Sequence, residues 1–191
     1  MIVYIHGASA TCESFNHITE HIHEPSMCLG YDSKHGFKEN LKEMAAALND
    51  VDKVFFVAHS LGGIYSLHLA EMFSNKVQGA VTLSTPYGGS KSADYVKYFL
   101  PFSRLMRDIG PHSTPMEKIN KINIVWPWTN VVTMNGASPF MIEPNDGVVT
   151  IASMKHLEKK MEIIELPINH YEVVIVNSVI NIIKDRLPSS N

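Results

Sequence analysis

A serine flanked by small residues, directly after a buried apolar run, is the part of the chain best suited to nucleophilic chemistry. Residues 54–57 predict a strand buried on both faces, and a helical pattern begins immediately after Ser60. Ala58 and Gly62 carry little or no side chain, as a tight turn around a central serine requires. This matches the G-x-S-x-G nucleophile elbow, with alanine in place of the first glycine. Ser60 is therefore the predicted nucleophile; the alternative is an ordinary strand-to-helix turn with a capping serine.

A serine hydroxyl reacts efficiently only when a base takes its proton and an acid orients that base. In elbow-type sites the acid and then the histidine follow the serine along the chain. His170 lies between the last predicted strand and the final helix, at the sheet edge where ligands collect. Asp146, within the turn-rich residues 144–149, is the predicted acid, although an Asx-turn residue would look the same. Glu143, three residues earlier, is the alternative acid.

Two backbone N–H groups are needed to receive the oxyanion of such a reaction. One is expected from Leu61, the residue after the nucleophile, and the other from Ala8 in the loop after the first strand. His6 is expected to brace that loop without transferring protons. Strand alternation predicts that His59 points away from the elbow in a structural role.

The elements that must position these residues alternate between strand and helix patterns. Such alternation predicts a parallel sheet with helices on both faces. The predicted strands are 2–6, 26–30, 54–57, 77–84, 130–134 and 161–166, and the predicted helices are 14–22, 37–48, 61–73 and 171–187. Residues 91–120 are predicted to be irregular, with apolar pieces divided by prolines and a glycine.

Composition limits the class of protein. The chain has 191 residues, 45% of them hydrophobic and 18% charged, which suits one soluble domain covering residues 1–191. A net charge of −3 argues against nucleic acid as a partner. No apolar run is long enough to span a bilayer, so stable membrane insertion is not expected. No signal peptide is recognised, and a cytoplasmic location is therefore expected. Cys12 and Cys28 are expected to be reduced thiols, with a single disulfide as the alternative.

Five segments of the chain match motifs of one known family, in that family's order: residues 3–7, 58–63, 83–90, 145–149 and 169–171. The elbow with two glycines and the Thr-Pro-x-x-Gly-Ser-like segment are the more specific of these matches. Together the segments resemble the α/β-hydrolase superfamily, and most closely its compact lipase-like serine esterases.

The resemblance implies a minimal α/β-hydrolase fold of about six mostly parallel strands with helices on both faces. The first two, antiparallel strands of the family are missing, because the chain begins at the family's third strand. It also implies a cofactor-free and metal-free serine esterase, which forms an acyl-enzyme on Ser60 from a small ester or lipid-like substrate. Thioesterase, amidase or acyltransferase chemistry would use the same residues, and a non-catalytic binding protein is the remaining alternative.

Residues 91–120 have two interpretations. They form either a pair of helices packed against the sheet edge or a short lid whose apolar side lines an acyl pocket. The predicted pocket residues are Tyr87, Phe102, Leu105 and Phe140.

A separate pattern, His17-Ile18-Thr19-Glu20-His21, matches the H-x-x-E-H arrangement of some zinc enzymes. Its two histidines would share one helical face, as a metal site needs. The competing interpretation, a solvated polar helix, is preferred because the helix is short and ends by Pro25.

Overall fold

The computed structural model describes residues 1–89, 110, 112–138 and 141–189. Strands and helices alternate in this part of the chain, as predicted. The strands are β1 (Ile2–Ile5), β2 (Ser26–Cys28), β3 (Val54–His59), β4 (Val77–Leu83), β5 (Trp128–Thr133) and β6 (Glu162–Leu166). The helices are α1 (Asn16–Thr19), α2 (Phe37–Ala47), α3 (Leu61–Met72), α4 (Thr114–Lys121), α5 (Ile151–Met154) and α6 (Asn177–Arg186), with 3₁₀ turns at Cys12–Phe15 and Glu172–Val174.

The six strands form one sheet in the order β2-β1-β3-β4-β5-β6, and every neighbouring pair is parallel. The predicted parallel sheet is thereby confirmed. Because all strands run in the same direction, the loops that follow β1, β3, β5 and β6 leave from one edge of the sheet. These loops contain the residues predicted to do chemistry.

Alternation along the strands divides the core into two layers. In β1, Val3 and Ile5 pack on the face that also holds residues of α2 and α3. Ile2 and Tyr4 pack on the opposite face, against residues of α1 and α6. Burial of both faces explains why β1 and β3 are apolar without a polar alternation. Helices therefore cover both faces of the sheet, as predicted.

The closing helix begins later than predicted, at Asn177 instead of residue 171. The side-chain oxygen of Asn169 accepts hydrogen bonds from the backbone N–H groups of Tyr171 and Glu172, at 2.9 and 3.0 Å. Such an Asx turn competes with helix formation, and the chain forms a short 3₁₀ turn here before α6 begins.

Residues 114–121 form α4, although the sequence pattern predicted an irregular segment. Pro115 in the first turn is compatible with a helix start, because the first N–H groups have no helical partner anyway. Met116 and Ile119, three residues apart, are buried in the core. This part of residues 91–120 thus packs as core, whereas residues 91–109 and 111 lie outside the described residues.

Cys12 and Cys28 form a disulfide, with their Cα atoms 6.0 Å apart. The prediction of two reduced thiols is therefore wrong. Pairing of β2 with β1 places Cys28 beside Tyr4, and the segment after β1 returns Cys12 to the same end of the sheet. Disulfides persist mainly in oxidising compartments and are rare in the cytosol, so this bond does not support the predicted cytoplasmic location.

None of the helices formed by the described residues combines the length and the apolar character needed to cross a bilayer.

Candidate active site

Ser60 occupies the turn between β3 and α3 in a backbone conformation that residues other than glycine rarely adopt. Its backbone angles are φ 52° and ψ −123°, in the positive-φ region that is strained for a residue with a Cβ atom. The close approach of α3 to the sheet explains the glycines that follow. A Cβ atom on Gly62 would lie 2.1 Å from the carbonyl oxygen of Ile5, and one on Gly63 would lie 2.0 Å from Thr85 Oγ1.

The loop after β1 passes directly against this turn. A Cβ atom added to Gly7 would lie 3.2 Å from the Cβ atom of Ser60. Ala8 follows in the same turn, and Leu61 is the first residue of α3, so its N–H has no acceptor inside the helix. The structure therefore brings together the two segments that carry the predicted oxyanion donors.

Asp146 and His170 form a buried pair. Asp146 Oδ2 lies 2.7 Å from His170 Nδ1, and the two residues are only 1% and 3% exposed. The carboxylate accepts a hydrogen bond from Nδ1–H, which leaves Nε2 of the same ring with a lone pair that can accept a proton. A backbone hydrogen bond of 3.1 Å, from the N–H of His170 to the carbonyl of Asp146, joins the two loops as well.

The carboxylate of Asp146 is kept ionised by its surroundings. Burial by itself would raise its pKa, but the hydrogen bond and charge of His170, with hydrogen bonds from Thr133 and the Val149 N–H, outweigh burial and lower the pKa. The N–H groups of Val148 and Val149 both donate to Oδ1, at 3.0 and 2.7 Å. Asp146 therefore makes the predicted turn contacts and also contacts the histidine.

Two residues that position Asp146 were missed by the sequence analysis. Thr133, the last residue of β5, donates its hydroxyl to Asp146 Oδ2 at 2.5 Å, and Ser84 Oγ lies 2.8 Å from the same hydroxyl. Gly136 pairs with Asn145, and a Cβ atom there would lie 1.9 Å from the carbonyl carbon of Asp146. Neither residue belongs to a local motif, so only their position at the end of β5 or just after it could have indicated a role.

The sequence predicts that His59 points away from the elbow in a structural role; its ring instead lies beside His170, although its contacts there are structural. Its Nε2 donates to the backbone carbonyl of His170 at 3.0 Å, and the two rings are 4.8 Å apart. Alternation does place His59 on the face of Phe55 and Val57, but the His170 loop packs on that same face. Burial, followed by the charge of His170, lowers the pKa of His59 to about 3, which keeps this ring neutral.

Because His59 directly precedes Ser60, its contacts also place the His170 loop next to the elbow. Ser60, Asp146 and His170 thus gather at one edge of the sheet, although they are far apart along the chain. The first is half-buried and the other two are buried. A neutral imidazole held at Nδ1 by a carboxylate can accept a proton at Nε2 from a hydroxyl group that approaches it.

The alternative acid and the predicted pocket residues do not join this group in the described part of the chain. Glu143 is exposed. Tyr87 is fully buried, and its hydroxyl donates to Thr82 Oγ1 and accepts from Trp128 Nε1, which favours a core role over pocket lining. Phe102, Leu105 and Phe140 lie outside the described residues.

His6 supports the loop after β1. Its Nδ1 lies 2.8 Å from the carbonyl oxygen of Gly7, and its ring stacks on Tyr31 at 4.4 Å. Burial lowers the pKa of His6, so this ring is neutral as well. These contacts agree with the bracing role expected for it.

Comparison with known proteins gives matches of structure alone. No protein-family model matches the sequence, and no curated protein sequence matches it either. The lipase BlEst2 of Bacillus licheniformis, in its mature form, superimposes with a TM-score of 0.78 at 16% identity, over 96% of this chain and 90% of that one.

Two further solved structures match over most of both chains. A structure from a study of carboxylesterases of Nitrososphaera gargenis has a TM-score of 0.67 at 13% identity, over 96% of this chain and 88% of that one. The monoacylglycerol lipase of Paleococcus ferrophilus also has a TM-score of 0.67, at 14% identity, over 97% and 94% of the two chains. These neighbours are α/β-hydrolase lipases and esterases. The chain therefore has the α/β-hydrolase fold.

Proposed function

We propose that this protein is a serine hydrolase that cleaves carboxylic esters through an acyl-enzyme on Ser60. The observation that carries the proposal is the buried Asp146–His170 pair, held beside a serine with a strained, positive-φ backbone. Such a backbone costs on the order of 1–3 kcal/mol and persists where the surrounding structure enforces it, commonly at active sites.

In the proposed mechanism, Ser60 Oγ attacks the ester carbonyl while His170 Nε2 takes its proton. Asp146 holds Nδ1–H of the same ring and stabilises the imidazolium that forms. The N–H groups of Leu61 and Ala8 receive the oxyanion of the tetrahedral intermediate. His170 then returns the proton to the leaving alcohol, and the acyl group remains on Ser60.

The second half of the cycle uses the same residues with water as the nucleophile. Water attacks the acyl carbonyl and gives a proton to His170 Nε2. Collapse of the intermediate releases the carboxylic acid and returns this proton to Ser60 Oγ. The cycle needs no cofactor, because the serine and histidine supply both the nucleophile and the proton transfers.

Ester substrates are favoured because the structural neighbours named above are lipases and carboxylesterases. Thioesters, amides or transfer to an alcohol would use the same residues, since the fold does not determine the acyl acceptor. A series of p-nitrophenyl esters of increasing chain length, with matched thioester and anilide substrates, separates these cases. We expect ester hydrolysis to dominate, with short to medium acyl chains preferred.

Labelling with a fluorophosphonate tests the nucleophile directly. Wild-type protein should gain one covalent adduct, and Ser60→Ala should gain none and lose about 10⁴-fold or more in kcat. Ser74→Ala, at an exposed serine, is the matched control and should label normally. Labelling of Ser60→Ala, or retention of a tenth of wild-type activity, would overturn the proposal. An unlabelled wild-type protein would instead favour a non-catalytic binding protein.

A further inference from the structure

A second group of reactive side chains lies outside the proposed catalytic site, on the segment that follows the loop after β1. A ring nitrogen from each of His17 and His21 and a carboxylate oxygen of Glu20 lie within 4.8 Å of one another. Glu20 and His21 are exposed and His17 is partly exposed. Water and ions can therefore reach this group, here called the His17 cluster.

The hydrogen bonds of the two rings leave one nitrogen of each free to bind a metal. His21 Nδ1 lies 2.8 Å from the backbone carbonyl of His17. Because a carbonyl oxygen only accepts, Nδ1 carries the proton and Nε2 keeps its lone pair. His17 Nε2 lies 3.2 Å from Asn177 Oδ1, also an acceptor, so Nδ1 of His17 keeps the lone pair.

This pattern is the one that metal-binding histidines use. A ligating imidazole usually donates its second N–H to a carbonyl or carboxylate, which sets the tautomer and the direction of the ring. Both rings of the His17 cluster make such a bond before any metal is bound, and they stand 4.7 Å apart. Less side-chain freedom then has to be lost when an ion binds.

The backbone that carries the cluster is also held in place. The Cys12–Cys28 disulfide closes the loop that contains it. Ile18 and Ile22, on the opposite side of the segment, are 0% and 5% exposed and pack under the sheet. The ligands therefore project to solvent from a fixed base.

We propose that His17, Glu20 and His21 bind one Zn²⁺ ion, with water in the fourth position. Two imidazole nitrogens and one carboxylate oxygen are a common zinc ligand set, and tetrahedral bonds of about 2.0–2.2 Å place ligand atoms roughly 3.4 Å apart. The ligand atoms already lie within 4.8 Å of one another, so small changes in side-chain angle, chiefly of the exposed Glu20, reach that spacing. The ion stabilises the fold, because the ring of His17 also bonds Asn177 at the start of α6, 160 residues away. This proposal does not depend on the function of Ser60.

Calorimetric titration of chelator-stripped protein with ZnCl₂ tests the site. One ion should bind per chain, and His21→Ala should weaken binding by at least about 10-fold. Asn177→Ala, which removes the side-chain amide whose oxygen accepts from His17, should weaken it by about 10-fold. His23→Ala is the matched control, because this exposed histidine lies outside the cluster.

Thermal unfolding gives a second measurement that is independent of activity. Free Zn²⁺ at 100 times its dissociation constant should raise Tm by about 5–11 °C in the wild type and His23→Ala, and much less in His21→Ala. Three results would overturn the proposal: no saturable binding, equal affinity in the wild type and His21→Ala, or equal weakening by His23→Ala. Loss of ester hydrolysis on chelation, with recovery on adding zinc, would overturn the stabilising role.

Discussion

Removal of the Cys12–Cys28 disulfide has an effect that can be calculated from the length of the loop it closes. The two cysteines are 16 residues apart in sequence. The chain-entropy model gives about 3 kcal/mol of stabilisation at 25 °C for a loop of this length, because the cross-link removes freedom from the unfolded chain. For 191 residues the entropy of unfolding is about 0.4 kcal/mol/K. Loss of the disulfide should therefore lower Tm by roughly 8 °C.

The assay compares wild type with the Cys12→Ala, Cys28→Ala double variant by urea and thermal unfolding, each with and without a phosphine reductant. The double variant should still fold at 25 °C, because domains of this kind have about 5–15 kcal/mol of stability. Reductant should destabilise the wild type by the same amount as the substitutions and should leave the double variant unchanged. Two free thiols in untreated wild-type protein, or a Tm that reductant does not move, would refute the reasoning.

Three further predictions concern the site. Asp146→Asn should cost about 10⁴-fold in kcat, because an amide favours the wrong imidazole tautomer, and Glu143→Gln should cost little; steady-state kinetics showing the reverse would move the acid to Glu143. Buried His59 has a pKa of about 3, whereas an unfolded histidine has a pKa of about 6.5, so between these values only the unfolded chain binds this proton. The free energy of unfolding should therefore decrease as the pH is lowered from about 6.5 towards 3, by up to about 1.4 kcal/mol per pH unit. Urea unfolding across this pH range should show that the free energy of unfolding depends less steeply on pH in His59→Gln than in the wild type. An equally steep dependence would contradict the low pKa of His59. Gly136→Ala should lower kcat by about 100-fold, because its Cβ atom would lie 1.9 Å from the Asp146 carbonyl carbon, whereas Gly30→Ala, with nothing closer than 3.9 Å, should not.

The fold was largely predictable because its signals are local. Buried strands such as β3 appear as apolar runs, and α3 follows the elbow at once. Strands separated by helices leave a parallel sheet as the natural arrangement. The late start of the closing helix arose where a local hydrogen bond competed with the pattern, because the Asn169 side chain delays α6 until Asn177.

The sequence predicts Ser60, Asp146 and His170 as the catalytic residues because each follows a predicted strand or lies in a turn-rich loop. Parallel strands bring such positions to one edge, so their meeting there is a consequence of topology. The choice between Asp146 and Glu143 remained open at that stage, because both belong to the same loop. The 2.7 Å contact of Asp146 with His170, and the exposure of Glu143, favour the first.

By itself, the sequence determined the order of the strands along the chain and the loops that hold Ser60, Asp146 and His170. Only the tertiary structure decided that Cys12 and Cys28 are bonded, that Thr133 donates to Asp146, and that His59 supports the His170 loop. Each of these contacts depends on how closely segments distant in the chain approach one another. A pattern of residue types indicates on which face of a strand or helix a side chain lies. Its distance to a partner on another loop depends on how the loops pack.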